Sequence, residues 1–486
     1  MNIKAKLTLK DTKLLWQETT LCYTELFNDS DEEIINVNPD NWRGGATFCL
    51  TNLLTGEKTY HSRKLLPEIE SAGISLASGG MLTDEIVLSS ILRFPTSGLF
   101  ELQAKYSFDG GEVESAPVRV EVIRADPQGL VTETAMGSQA GDLYCVWTNR
   151  LQDGFDLYLS TIDTAFEPIV LSTNKIGKLS MLCEPSISIP ANKIPARQHV
   201  AWIAGDKLHY VICETGGLRS GSLELNSREY KIVPPLLEDV GNGNTIQFAE
   251  VLLTSVRPDG WRLRTVLLDG SPSFADEIRT IHSIPPEWFQ TVYRSTGERY
   301  TFFILPQSRD GNPYLKLAMS MWRERVAPSS PVFLGNWNGS LVAADILLAA
   351  DDRIVGAVLL KREDEGRVEF VVEKWTLDQN DELRVSTTAP IRWNEDWIIE
   401  HAFLRVNGDG VAFMLFKGGP ESKWYWVDGA GDFESLGDLS SRISLPADII
   451  FTSFIYPAIV YTDKECGLRF HYLGPNRVYR PPTGSW

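Results

Sequence analysis

Along residues 98–108 the apolar side chains Phe100, Leu102, Ala104, Tyr106 and Phe108 alternate with Glu101, Gln103, Lys105 and Ser107. A period of two with one apolar face predicts a strand packed on one side and wet on the other. Five more runs before residue 125 follow the same rule: KAKLTLK, LCYTELFN, ATFCLTNLLTGEKTYH, EIVLSSILRF and APVRVEVI. Polar turns such as NDSDEE, LLTGEK and DGGE separate them. Short alternating strands joined by such turns predict two antiparallel sheets packed face to face over 1–125.

Beyond RADPQGL, a short Pro/Gly break after which two touching domains are expected, the pattern changes. Pairs of apolar runs now hinge on DG- or EG-type turns, as in VRPDGWRLRTVLL. The first residues of the second runs are Phe155, Lys207, Trp261, Tyr314, Arg367, Lys423 and Leu468, at intervals of 52, 54, 53, 53, 56 and 45. Each unit keeps one internal order, for example PSISI, QHVAWIA, KLHYVIC and GSLEL, or IIFTSFI, AIVYTD, GLRFHYL and RVYR. Four strands repeated seven times at a near-constant period predict a seven-bladed β-propeller over 126–486. The inner strands are expected at LVTETAM, PSISI, TIQFAEV, FQTVYR, LVAADILL, HAFLRV and IIFTSFI. RVYR uses the last strand available, so the ring should close without strand exchange, and 126–486 should fold without the first domain.

The stretch SGLFELQAKYSFDGGEVESAPVRVEVI resembles the final hairpin of bacterial Ig-like domains. The likeness implies a spacer or docking module, with no Cys…Trp…Cys signature to imply an inter-sheet disulfide. PSISI…HVAWIAGDKLHYVIC resembles the blades of sialidase-like propellers. The fold class is therefore read as all-β, an Ig-like β-sandwich over 1–125 followed by a seven-bladed β-propeller of four-stranded blades over 126–486. The resemblance would imply an S-x-D-x-G-x-x-W turn after each third strand, but Ser160 to Phe166 and CETGGLRSG are off-pattern there. The nearest match, Ser308-Arg309-Asp310-Gly311-Asn312, sits in the turn between second and third strands. Clamping a sugar carboxylate calls for clustered guanidinium groups, and the expected inner strands offer Arg294 and Arg405, each near a strand end. Tyr293 with Glu250 could form a nucleophile and its support, but tyrosines and acids are frequent enough in this chain to produce such a pair without function.

At 486 residues the chain exceeds the roughly 250–300 that one core supports. A formal charge of −18 disfavours nucleic acid. No apolar run approaches the about 18 residues of a membrane span. Cys22, Cys49, Cys145, Cys183, Cys213 and Cys466 form no close pair, so a metal or disulfide framework is not expected, and neither is a cofactor. A soluble cytoplasmic protein is expected. Acids before or within the inner strands, Glu184, Glu287, Asp345, Glu400 and Asp448, could converge on an acidic channel mouth that receives a basic protein segment or a cation; the other reading leaves each in solvent on its own loop. Phe155 and Trp261 are candidate loop-tip contacts. With the residues of known chemistries missing, the sequence reads as a non-catalytic protein-interaction module, a subunit, adaptor or regulator. Its alternatives are a sialidase-like glycoside hydrolase or lyase, and a carbohydrate-binding lectin using faces such as Trp261, Trp288, Trp337 and Trp424.

Overall fold

The computed structural model describes residues 2–472 apart from 16–17, 19, 42–43, 63–73, 93, 135–141, 164–168, 184, 189–197, 215–216, 226–229, 242–243, 254–260, 268–272, 283–285, 295–297, 310–311, 323–330, 350, 365–366, 388–397, 408, 428–432, 453–455 and 464–466; over 230–282 the description is of strand backbone. Eleven strands precede residue 125: β1 (Ile3–Leu9), β2 (Lys13–Leu15), β3 (Leu21–Asn28), β4 (Ile34–Val37), β5 (Thr47–Asn52), β6 (Lys58–His61), β7 (Ile74–Leu76), β8 (Met81–Val87), β9 (Gly98–Phe108), β10 (Gly111–Glu114) and β11 (Val118–Ile123). One sheet runs β1-β3-β8, the other β2-β11-β9-β5-β6 with β10 beside β9, and β4 pairs with β7. The orders β1-β3-β8 and β5-β9-β11 are those of strands A-B-E and C-F-G in an immunoglobulin-type sandwich. Alternation explains the core: Cys22 and Leu26 from one sheet meet Phe48, Phe100, Leu102 and Ala104 from the other. EIVLSSILRF is a strand only as far as Val87, where the chain turns into a short 3-10 helix at Leu88–Ser90.

Six four-stranded sheets and one three-stranded sheet follow, each antiparallel and each in sequence order. Their inner strands are Pro127–Thr134, Ser186–Ser188, Tyr230–Gly241, Trp288–Tyr293, Ser340–Leu348, Ile399–Val406 and Ile443–Thr452. Each inner strand touches the next around a ring, and the seventh touches the first, which is the closed seven-bladed propeller. Third strands begin at Gly154, Lys207, Trp261, Asn312, Arg367, Lys423 and Gly467, within two residues of the sequence period. RVYR, expected as the last outer strand, lies outside the described residues.

The third blade differs from expectation. TIQFAEV falls in its second strand, Asn244–Leu253, while the inner strand is Tyr230–Gly241. Pro234-Pro235 disguises that strand as a connection, since proline supplies no ladder N–H. The register breaks there, with Val233 opposite Glu250 and Leu237 opposite Phe248.

Blades hold together face to face. Ile346 and Leu348 of the fifth inner strand pack on Phe302, Ile304 and Leu317 of the fourth blade, and Leu404 and Val406 pack on Val355, Leu359 and Phe370. At the seam between last and first blades, Ile450, Ala458 and Val460 meet Leu143, Cys145, Trp147, Tyr158 and Ile162. Leu15 from β2 of the sandwich belongs to the same cluster, as does Ala125 of the connection. Leu15 is tied to Glu18: its N–H donates to Glu18 Oε2 at 2.7 Å, and the Glu18 N–H donates to its carbonyl at 2.7 Å. Asp126 ties the connection to blade one through Asn149 Oδ1 at 2.7 Å and the Arg150 N–H at 3.0 Å. Among the described residues Cys22, Cys49, Cys145 and Cys213 are free, buried thiols, and Cys466 lies outside them. No helix among them is long and apolar enough to cross a membrane.

Because Leu15 is a buried member of the seam, the propeller is not indifferent to the sandwich. Truncating a buried leucine to alanine costs about 2–5 kcal/mol, so Leu15→Ala should lower full-chain stability by that order in urea denaturation. A 126–486 fragment should melt below the full chain. Equal melting of fragment and full chain would show that the seam closes unaided.

Candidate functional site

The ring brings two of the expected acids together through a residue between them. Asp345 stands on the fifth inner strand, Arg405 on the sixth and Asp448 on the seventh. Arg405 donates from Nη1 to Asp345 Oδ1 at 3.4 Å and from Nη2 to Asp448 Oδ2 at 2.8 Å. A side chain of blade six that reaches blades on both of its sides must cross in front of its own inner strand. The guanidinium therefore lies on the channel side of the ring.

Backbone groups fix both carboxylates. Asp345 Oδ2 accepts the Val406 N–H at 2.8 Å, and Asp448 Oδ1 accepts the Ile449 N–H at 2.8 Å. The Asp345 and Asp448 side chains are 9% and 5% exposed, while that of Arg405 is 35% exposed. Burial pushes Asp345 up from its ordinary 3.8 to about 6, and nearby Asp448 adds to the rise; Arg405 and the Val406 amide act against it. Asp448 also faces the first blade, where burial first, and the Asp448 charge second, hold the Cys145 thiol well above its ordinary range.

The remaining acids do not join them. Glu400 opens the sixth inner strand, exposed and paired with Lys417 at 2.7 Å. That hydrogen bond, and a second from Ser422, hold its carboxyl below the usual range. Glu287 is exposed just ahead of the fourth inner strand, its N–H bonded to the Ile304 carbonyl at 2.9 Å. Five residues separate Glu400 from Arg405, roughly 16 Å at 3.3 Å per residue. Glu287 and Glu400 thus stand at the starts of their inner strands and Asp345 and Asp448 further along theirs, with Glu184 outside the described residues.

Phe155 opens the third strand of blade one and is half-buried against the cluster between blades one and two. Trp261 opens the third strand of blade three, and its side chain lies outside the described residues, as do those of Tyr293 and Glu250. Glu250 stands on a second strand, which removes it from the inner row assumed for a Tyr293 pair. Arg294, the other inner-row arginine, is committed elsewhere. It is 3% exposed, pairs with Asp381 at 3.0 Å, bonds Tyr300 Oη at 3.1 Å and reaches the Asp378 and Gln379 carbonyls of blade five. Among the described residues no cluster of His, Cys, Asp and Glu is arranged to hold a metal ion.

Arg405 was visible in the sequence but discounted for its place near a strand end. A sharper signal was available: Ala344-Asp345-Ile346 and Ala447-Asp448-Ile449 repeat one tripeptide on the inner strands either side of it.

No protein-family model and no curated protein matches the chain. Among solved structures it is similar to an arginine-to-alanine triple mutant of AofleA from Arthrobotrys oligospora, at 12% identity over 64% of this chain and 89% of that one, with a TM-score of 0.36. It is similar to the α-L-arabinofuranosidase Arb93A from Fusarium graminearum in complex with an iminosugar inhibitor, at 9% identity over 72% and 94%, TM-score 0.33. An ACO/RPE65 chimera shows 11% identity over 84% and 94%, TM-score 0.31. The expectation of a non-catalytic adaptor is corrected on the geometry of the ring itself, which groups two carboxylates around one guanidinium. The ground for that expectation, a channel lacking reactive groups, fails at Asp345, Arg405 and Asp448.

Two outcomes check this geometry. Arg405→Met leaves two buried carboxylates without their shared cation, and breaking such a pair costs about 3–5 kcal/mol, readable by urea denaturation. Asp345 sets a pH dependence. Its folded value lies above its ordinary one, so the native state binds the proton more tightly than the unfolded chain. Its contribution to stability falls as pH rises from about 4 to about 6 and is level above. The stability of Asp345→Asn minus that of the parent should therefore rise as pH goes from about 4 to about 6, and a difference that falls or stays constant contradicts the assignment.

Proposed function

We propose that the chain acts on glycans, binding a glycosyl unit in the channel against Arg405 and hydrolysing its glycosidic bond with the Asp345 and Asp448 carboxyl groups. One observation carries the reading: two inner-strand carboxylates share a single channel guanidinium, and one of them is held near 6. Glycoside hydrolysis commonly uses paired carboxyl groups, one keeping its proton to protonate the leaving oxygen and one acting as base or nucleophile. Asp345 suits the first role, its proton passing to the glycosidic oxygen as the bond to the anomeric carbon breaks. Asp448, whose oxygens accept from Arg405 and the Ile449 amide, suits the second, taking a proton from water or bonding to the anomeric carbon before water releases it. The sandwich, with its A-B-E and C-F-G strand order, is inferred to be an Ig-like module packed on the ring seam.

A second reading, glycan capture without turnover, is favoured by the low exposure of both carboxyl groups, which leaves Arg405 as the main channel contact. A panel of aryl pentosides and hexosides with a glycan array separates the two. Turnover on at least one glycoside, falling about 100-fold or more in Asp345→Asn as for loss of a general acid, supports hydrolysis. Array binding with no turnover supports capture. Neither binding nor turnover removes both.

A further inference from the structure

We infer, resting on the glycan reading, that the channel accepts uncharged glycosyl groups and rejects carboxylated ones such as uronic and sialic acids. Recognition of a sugar carboxylate is strongest where a guanidinium offers two parallel N–H donors to it. On the inner strands of blades four to seven and the residues bordering them stand Arg294 and Arg405, with Arg442 ahead of the seventh, its Nε and Nη2 both donating to Asp463 Oδ2. Arg405 has one terminal nitrogen on Asp345 and the other on Asp448. Arg294 has its Nη1 on Asp381 and Tyr300 and its Nη2 on the Asp378 carbonyl. Neither guanidinium presents an unoccupied fork.

A carboxylate brought to Arg405 would meet two others already there, in a partly dry site where like charges repel strongly. Hydroxyl groups face no such penalty. They can donate to the remaining carboxylate lone pairs and accept from guanidinium N–H groups.

The test uses the full-length protein on an array carrying pentose-, hexose-, uronic-acid- and sialic-acid-terminated oligosaccharides on common linkers, with affinities measured by calorimetry for the strongest of each class. Uncharged termini should bind at least about 100-fold more tightly than carboxylated ones. Asp448→Asn, which removes one negative charge and loosens the hold on one guanidinium nitrogen, should narrow that gap at least about tenfold, whereas a purely structural role for Asp448 would weaken both classes alike. Equal or tighter binding of acidic termini by the parent protein overturns this inference and leaves the glycan reading standing. Binding of no terminus at all overturns both.

Discussion

A ring of blades holds only if its last inner strand finds the first, and everything placed around the axis depends on that contact. Here Ile443–Thr452 meets Pro127–Thr134 directly, with each complete blade drawn from one continuous stretch of chain. No shared sheet crosses the seam among the described residues, so its cohesion comes from apolar burial. Ile450, Ala458 and Val460 supply one side, Cys145 and Trp147 the other, and Leu15 enters from outside the ring. Trp147 is also fixed by its indole N–H, which donates to Ser160 Oγ at 3.0 Å, and Ser160 in turn pairs with Thr173 at 2.9 Å. Satisfying that buried polar group keeps the largest side chain of the seam in one orientation.

Placing charge next to such a seam has a structural consequence. Two carboxylates at low exposure lose hydration, and attraction to the guanidinium they share offsets that loss only when geometry and extra hydrogen bonds are good. The backbone N–H groups of Val406 and Ile449 provide those bonds. Apolar residues in the same positions would pack blades five to seven without this desolvation, so stability alone gives little reason for the triad. Asp345 retains a raised pKa despite its partners, which marks an unfinished compensation and fits a group kept for chemistry.

How much of this was legible follows from what each signal encodes. The 53-residue interval between Trp261 and Tyr314, repeated with small changes, encoded blade count because each hairpin turn is a local event. Alternation in 98–108 encoded the sandwich face, and Phe100, Leu102 and Ala104 are fully buried. Blade three misled because prolines 234 and 235 broke the strand signal where a register shift absorbs them. The acids were legible as positions on inner strands, but their grouping was not. Glu400 and Asp448 look alike in sequence, yet one stands at the start of its strand and the other five residues into its own. Arg294 and Arg405 were equally ambiguous: one is a latch onto blade five and one a channel group, a distinction made by contacts 84 and 43 residues away in sequence.

The seam and the triad are one structure. Asp448 bonds Arg405 on one side and approaches Cys145 on the other, and Cys145 is a member of the cluster that Leu15 completes. A ligand that draws Arg405 away from Asp448 would leave a buried carboxylate beside an apolar seam, a state the fold resists unless the ligand replaces the lost hydrogen bond. Sugar hydroxyls can do so, since each is both donor and acceptor. A carboxylate cannot, because it only accepts. The same packing that closes the ring therefore forms the surroundings of Asp448, and Leu15 of the sandwich belongs to that packing.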